Sequence, residues 1–169
     1  SSEFAIIFWA AALLREQTGT SPSLSTTLVL AFPLGMFLGR WFGTYVRPSL
    51  GIDARLKAIL ALQFAGFTVF WISHNTLISF AAIFMIGLGT SMQFILTTMR
   101  LLSFSGGKND LAMGHVAFAS GIAIAGSPLI LGALADQIGI TLAYLIVPAF
   151  IAIAFAIVIF IPSKKEALV

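Results

Sequence analysis

Four stretches of this chain, Thr26–Val46, Leu77–Met99, Leu111–Ala135 and Thr141–Ile161, are apolar for at least the length of a bilayer crossing. A helix needs about 20 residues at 1.5 Å each to cross the hydrocarbon. Arg40 falls inside the first stretch, and its long side chain reaches the boundary by snorkelling. Ala58–Ser73 is shorter; Leu56 and the aliphatic stem of Lys57 extend it. A soluble domain carries about 25% charged residues, whereas this chain carries 9% with a mean hydropathy of +1.05. A membrane β-barrel would alternate in segments of about ten residues. These runs are continuously apolar, so the expected fold class is all-α, a polytopic membrane helix bundle.

The polar breaks between the runs differ in charge. Every second break holds Arg40, Arg47, Arg55 and Lys57, then Arg100 and Lys108, then Lys164 and Lys165, which is eight of the nine Lys and Arg. The other breaks hold only Arg15. Lys and Arg resist translocation, so this bias predicts that the basic breaks and the C-terminus are cytoplasmic. A bacterial plasma (inner) membrane is the expected location. The pI near 9.7 follows from these dispersed positive-inside residues, so no nucleic-acid partner is expected. There are no cysteines, which excludes disulfides, thiolate nucleophiles and Cys-type metal sites.

The first apolar run, Phe4–Leu14, has only 11 residues before Arg15 and Glu16, about half a crossing. The alternation of breaks still requires a full span there. The expectation is a truncated first helix, with roughly eight or more residues preceding Ser1. Glu3 then lies ~18 Å below the outer boundary if helical, near mid-membrane. If the chain starts at Ser1, Glu3 is instead a solvated terminal residue.

Six helices are expected: one ending at Leu14, then Thr26–Val46, Ala58–Ser73, Leu77–Met99, Leu111–Ala135 and Thr141–Ile161. Loops are predicted at Arg15–Ser25 with its turn formers Gly19, Ser21 and Pro22, at Arg47–Lys57 with Pro48 and Gly51, at Ser103–Asp110, and at Asp136–Ile140. The chain, residues 1–169, reads as one domain. Pro33, Gly35, Gly39 and Arg40 in the second helix answer Pro128, Gly132 and Asp136 in the fifth, on opposite sides of the membrane. This suggests two inverted three-helix repeats. Ala58–Ser73, whose interior polar residues are Gln63 and Thr68, and Thr141–Ile161, with Tyr144, are expected to face lipid. Thr90, Gln93, Thr97 and Arg100 fall within a ~80° arc of one helix. Such a stripe faces a cavity or satisfies neighbouring helices by hydrogen bonding. Gly35 and Gly39, and Gly121, Ala125 and Gly132, are spaced for close helix packing. Gly87-Leu88-Gly89 lies in an apolar helix with no preceding strand, so it reads as packing rather than a nucleotide fingerprint. Pro33, Pro128 and Pro148 are expected to kink their helices.

The stretch Gly35-Met36-Phe37-Leu38-Gly39-Arg40, the run Ile86-Gly87-Leu88-Gly89, and Ser127–Gly139 with its Gly132-x-x-x-Asp136 boundary carry a resemblance. In order, spacing and orientation they resemble the C-terminal six-helix half of a major facilitator superfamily transporter, over essentially the whole chain. The family's cytoplasmic loop signature has an Asp–Arg pair; here Gly39 stands in place of the Asp, and the nearest acid is Asp53. The resemblance implies that the first, second, fourth and fifth helices of this chain line a substrate cavity. It also implies an N-terminal six-helix half as partner, with the lipid bilayer around both.

The function that follows is secondary active transport of a small-molecule substrate by alternating access, as symport or antiport. The substrate and proton pathway candidates are Glu3, Trp9, Thr90, Gln93, Thr97 and Arg100. Gly35, Gly39, Arg40, Pro128, Gly132 and Asp136 are gating or packing candidates. Glu3 at mid-depth is suited to proton coupling, or to a hydrogen bond with another helix. Trp9 is a cavity aromatic or a packing residue. Arg40 and Arg100 are snorkelling anchors, with an anion contact open to Arg100. Asp136 reads as a loop cap, His115 as interfacial and His74 as solvated. The acids and histidines are scattered in depth and show no metal-ligand or triad spacing. No catalytic residue, metal or cofactor is expected, and the chain is read as no enzyme. The alternatives are an integral-membrane enzyme or a receptor or channel subunit.

Overall fold

The computed structural model describes residues 2–43, 45 and 50–163, apart from the side chains of Ser2, Phe4 and Ala5. Val46, Arg47, Pro48, Lys164 and Lys165 lie outside the described residues. Six helical spans follow one another: α1 Ser2–Thr18, then α2 Pro22–Gly43, α3 Ile52–Ile72, α4 Thr76–Leu102, α5 Asn109–Ile138 and α6 Ile140–Phe160. The last five are long and apolar enough to cross a membrane. No strand occurs among the described residues.

Three predicted boundaries are corrected. α1 does not stop at Leu14; it carries Arg15 and Glu16 and ends at Thr18, followed by Gly19, whose φ of +66° suits glycine. Pro22 does not turn the chain. It opens α2, where its missing N–H needs no partner, and the Ser21 hydroxyl caps the helix by accepting from Leu24 N at 3.3 Å. α3 begins at Ile52 instead of Ala58 and has 21 residues. Asp53 sits in its first turn, where a negative charge favours the helix N-terminus.

Breaks inside the spans have local causes. Pro33 cannot donate to Val29, and α2 is interrupted at Leu30. Pro148 likewise leaves the Tyr144 carbonyl to Val147 N at 3.1 Å, and α6 is interrupted at Tyr144 and Leu145. α4 loosens at Ser91 and Met92, where the Ser91 hydroxyl donates to the Leu88 carbonyl at 2.7 Å. Pro128 lies within α5, which continues through it.

α4 is the centre of the bundle, packed between α2 and α3. Its two glycines face different neighbours. A Cβ at Gly87 would collide with the Phe32 carbonyl of α2, and one at Gly89 would lie 2.8 Å from the Ile59 carbonyl of α3. Gly35 faces Phe84 and Gly39 faces Ser91 with equally little room. Backbone-close contacts of this kind need residues without side chains. Gly121 differs from its expected packing role, since a Cβ there would meet nothing within 4 Å.

α3 and α6 are not simply lipid-facing. They pack on each other, and Tyr144 is buried against Phe67 and Phe70 with ring centroids 6.0 Å away in each case. Gln63 is 0% exposed. A hydropathy reading missed this because one buried face on an apolar helix leaves no compositional trace. α5 is the least enclosed span; its buried residues are Ala112 and Leu131.

Side-chain bonds tie the helix ends. At one end the Arg100 Nε of α4 donates to Asp53 of α3 at 2.9 Å, and Arg100 Nη2 donates to the Ile161 carbonyl. Ser163 N donates to the other Asp53 oxygen at 2.6 Å. The turns at Lys108 and Gly51 belong to this basic end. At the opposite end Gln17 donates to the Trp71 carbonyl at 2.6 Å, and the Trp71 indole donates to the Thr141 carbonyl at 2.7 Å. The Thr141 hydroxyl donates to Glu16 at 2.9 Å.

Candidate functional site

A cavity of about 450 Å³ opens on the side of the bundle formed by α1, α2, α4 and α5. α1 brings Glu3, α2 brings Arg40, α4 brings Thr90, Gln93 and Thr97, and α5 brings Ser120. No residue of α3 or α6 lines it. Glu3 is its one carboxylate and Arg40 its one permanent cation. The wall also includes Met36, Ser91, Phe94 and Ile124, so polar groups are set in an apolar frame, as in small-molecule sites.

The polar stripe on α4 is built by hydrogen bonds that reach behind the wall. The Thr90 hydroxyl donates to its own Ile86 carbonyl at 2.8 Å. The Gln63 amide nitrogen of α3 donates to Thr90 Oγ1 at 2.6 Å and to Gln93 Oε1 at 3.3 Å. Thr90 therefore lines the cavity and satisfies a neighbouring helix at once. Gln93 and Thr97 line the cavity beside it. The loosened turn at Ser91 and Met92 does not break the stripe, because both sides of it contribute lining residues.

The other named residues separate. Trp9 does not line the cavity; its ring packs beside Gly132 of α5, and its indole N–H is buried with no partner among the described residues. Gly35 and Gly39 lie in the α2–α4 contact behind the cavity. Arg40 Nε donates to the Ser91 carbonyl at 3.3 Å. Arg100 is held by Asp53 and lies over the Phe104 ring at 5.4 Å. It lines an adjoining cleft of about 370 Å³ between α4 and α5, with His115, Thr97 and Ser120. Asp136 sits exposed in the last turn of α5, outside the cavity. His74 is exposed, with its Nδ1 3.3 Å from the Gln17 carbonyl.

Ser120, the reach of Gln63 to α4 and the pairing of Arg100 with Asp53 were not read from the sequence. Ser120 carried the signal of any lone hydroxyl on an apolar helix. Gln63 carried a stronger one, an amide on a membrane helix, which calls for a partner. The Asp53–Arg100 pair spans 47 positions, and no local pattern joins them. Among the described residues, no three His, Asp or Glu side chains gather in a metal-binding group.

The fold and site together define an all-helical bundle of membrane-spanning type with a polar cavity open along one flank. No protein-family model matches the chain, and no curated protein matches it.

Proposed function

We propose that this chain is the C-terminal half of a secondary transporter of the major facilitator type, moving a small solute by alternating access. The observation that carries the reading is which helices wall the cavity. α1, α2, α4 and α5 contribute to it and α3 and α6 do not, the pattern that the resemblance implies for such a half. The open flank is then where a second six-helix half docks, and the two halves rock about the site between them. The basic end faces the cytoplasm of a bacterial cell, following the charge bias. The six helices form two inverted triplets, with α3 and α6 as the third member of each.

Glu3 is the proton-coupling residue of this proposal. It is the cavity's one carboxylate, facing Arg40 from α2 and neutral side chains from α4 and α5. A carboxylate in a cavity that alternately wets and dries exchanges protons with either side.

The test is flux of labelled solutes by the full-length protein in sealed vesicles. Solute accumulation that collapses with the proton gradient is the expected result. No solute flux, with hydrolysis or a ligand-gated current instead, would replace transport by the enzyme or channel alternative. Glu3→Gln should lose proton-driven accumulation while retaining solute exchange. Full proton-driven accumulation by that variant would remove Glu3 from the coupling role.

A further inference from the structure

We propose that the solute carried through this cavity is a small anion; this rests on the transport reading above. Two independent observations lead there. The first is the direction of the hydrogen bonds behind the cavity. Thr90 has one hydroxyl proton, and it goes to the Ile86 carbonyl at 2.8 Å. Thr90 therefore only accepts from α3, so Gln63 must turn its amide nitrogen toward it, at 2.6 Å. The same nitrogen engages the Gln93 carbonyl oxygen at 3.3 Å. With its acceptor taken from behind, Gln93 has two N–H donors left for an occupant of the cavity. Arg40 adds guanidinium donors to the same wall. Gln63 is thus a positioning residue that turns an ambivalent amide into a donor.

The second observation is the charge along the route out. The central cavity shares Phe94, Thr97 and Ser120 with the cleft between α4 and α5. That cleft shares Leu101 and His115 with a pocket of about 210 Å³ at the basic end, lined also by Lys108. The three form one trough along α4 and α5. Its ionisable lining is Arg40, Arg100, His115 and Lys108, against Glu3 alone at the far end. Asp53 neutralises Arg100 from outside the trough. Among the described residues, neither Arg40 nor Lys108 pairs with a carboxylate. A cation substrate would meet one carboxylate and two repelling cations, Arg40 and Lys108. A neutral polyol finds hydroxyl partners in Thr97 and Ser120 but gains nothing from the cations along the trough. A carboxylate or phosphate finds donors at the centre and attraction along the trough, and the low dielectric of the bundle strengthens both.

The experiment uses the full-length protein in detergent and in phosphatidylcholine vesicles. Thermal midpoints are read with inorganic phosphate, lactate, glucose, tetraethylammonium and, in mixed micelles, phosphatidylglycerol. Phosphate or lactate should raise the midpoint, and glucose and tetraethylammonium should not. Lys108→Gln, an exposed substitution, combined with Arg40→Gln should weaken the anion response by about tenfold. Gln93→Glu, which replaces the donors by a carboxylate, should abolish it, and Gln63→Leu should weaken it with Gln93 intact. No response to either anion, a response to glucose or tetraethylammonium instead, or a response to phosphatidylglycerol alone would each overturn the proposal. Lactate or phosphate flux into vesicles separates it from the transport reading. Anion binding without any flux keeps the anion site and removes transport. Glucose or tetraethylammonium flux without an anion response does the reverse.

Discussion

A single methyl group at residue 87 has nowhere to go. Gly87→Ala would drive a Cβ into the Phe32 carbonyl, and backbone cannot yield as a side-chain tip can. The substitution should cost about 1–3 kcal/mol, read as a lower thermal midpoint in detergent. Gly121→Ala is its control. A Cβ there meets open space, so stability should hold or rise slightly from better helix propensity. Gln63 is the second residue to test at this scale. Gln63→Leu removes donors to Thr90 and Gln93 and should cost about 1 kcal/mol, since buried polar contacts between membrane helices are individually modest. Its larger effect should be on ligand response, because the Gln93 amide loses its fixed orientation.

α3 and α6 behave as one unit. Tyr144 stands between Phe67 and Phe70, and Trp71 reaches across to the Thr141 carbonyl. Tyr144→Ala should cost about 3–5 kcal/mol by emptying that aromatic contact, measured by unfolding with a denaturing detergent. Loss of a similar size at exposed Phe118 on substitution to Ala would show that the effect is not specific to this pairing. Element by element, the long apolar runs were readable because hydrophobicity decides the existence of a membrane helix almost alone. The ends were less readable. The charges at Arg15 and Lys57 mark the ends of apolar runs, yet each helix continues past them, since backbone hydrogen bonding does not stop where an apolar run does. Of the site, Gln93 and Thr97 were legible as polar residues on one face. The reach of Gln63 from α3 and the Asp53–Arg100 pair were not, because periodicity describes one helix and these contacts join different ones.

For the whole molecule, residues 1–169 contain no cysteine, so sidedness is measurable in the full-length protein once any cysteine outside them is replaced by serine. Lys108→Cys and His74→Cys place single thiols at opposite ends of the bundle, both on exposed residues. On the proposed orientation, a membrane-impermeant maleimide should label the His74 position in intact cells, and the Lys108 position only after permeabilisation. The reverse pattern would invert the topology. The knot of bonds at the basic end also bears on how the chain is made. Asp53 receives Ser163 N from 110 positions further along, and Arg100 from 47. Synthesis runs at about 5–20 residues per second, so the carboxylate waits roughly 5–20 s after its own synthesis for the last of its donors to be made. Until α6 arrives, the nascent bundle holds an Asp53 only partly neutralised. α6 therefore acts as the closing step for this end of the bundle, and ribosomes stalled soon after residue 163, with α6 still in the exit tunnel, should display a protease-sensitive intermediate that release converts to a resistant one.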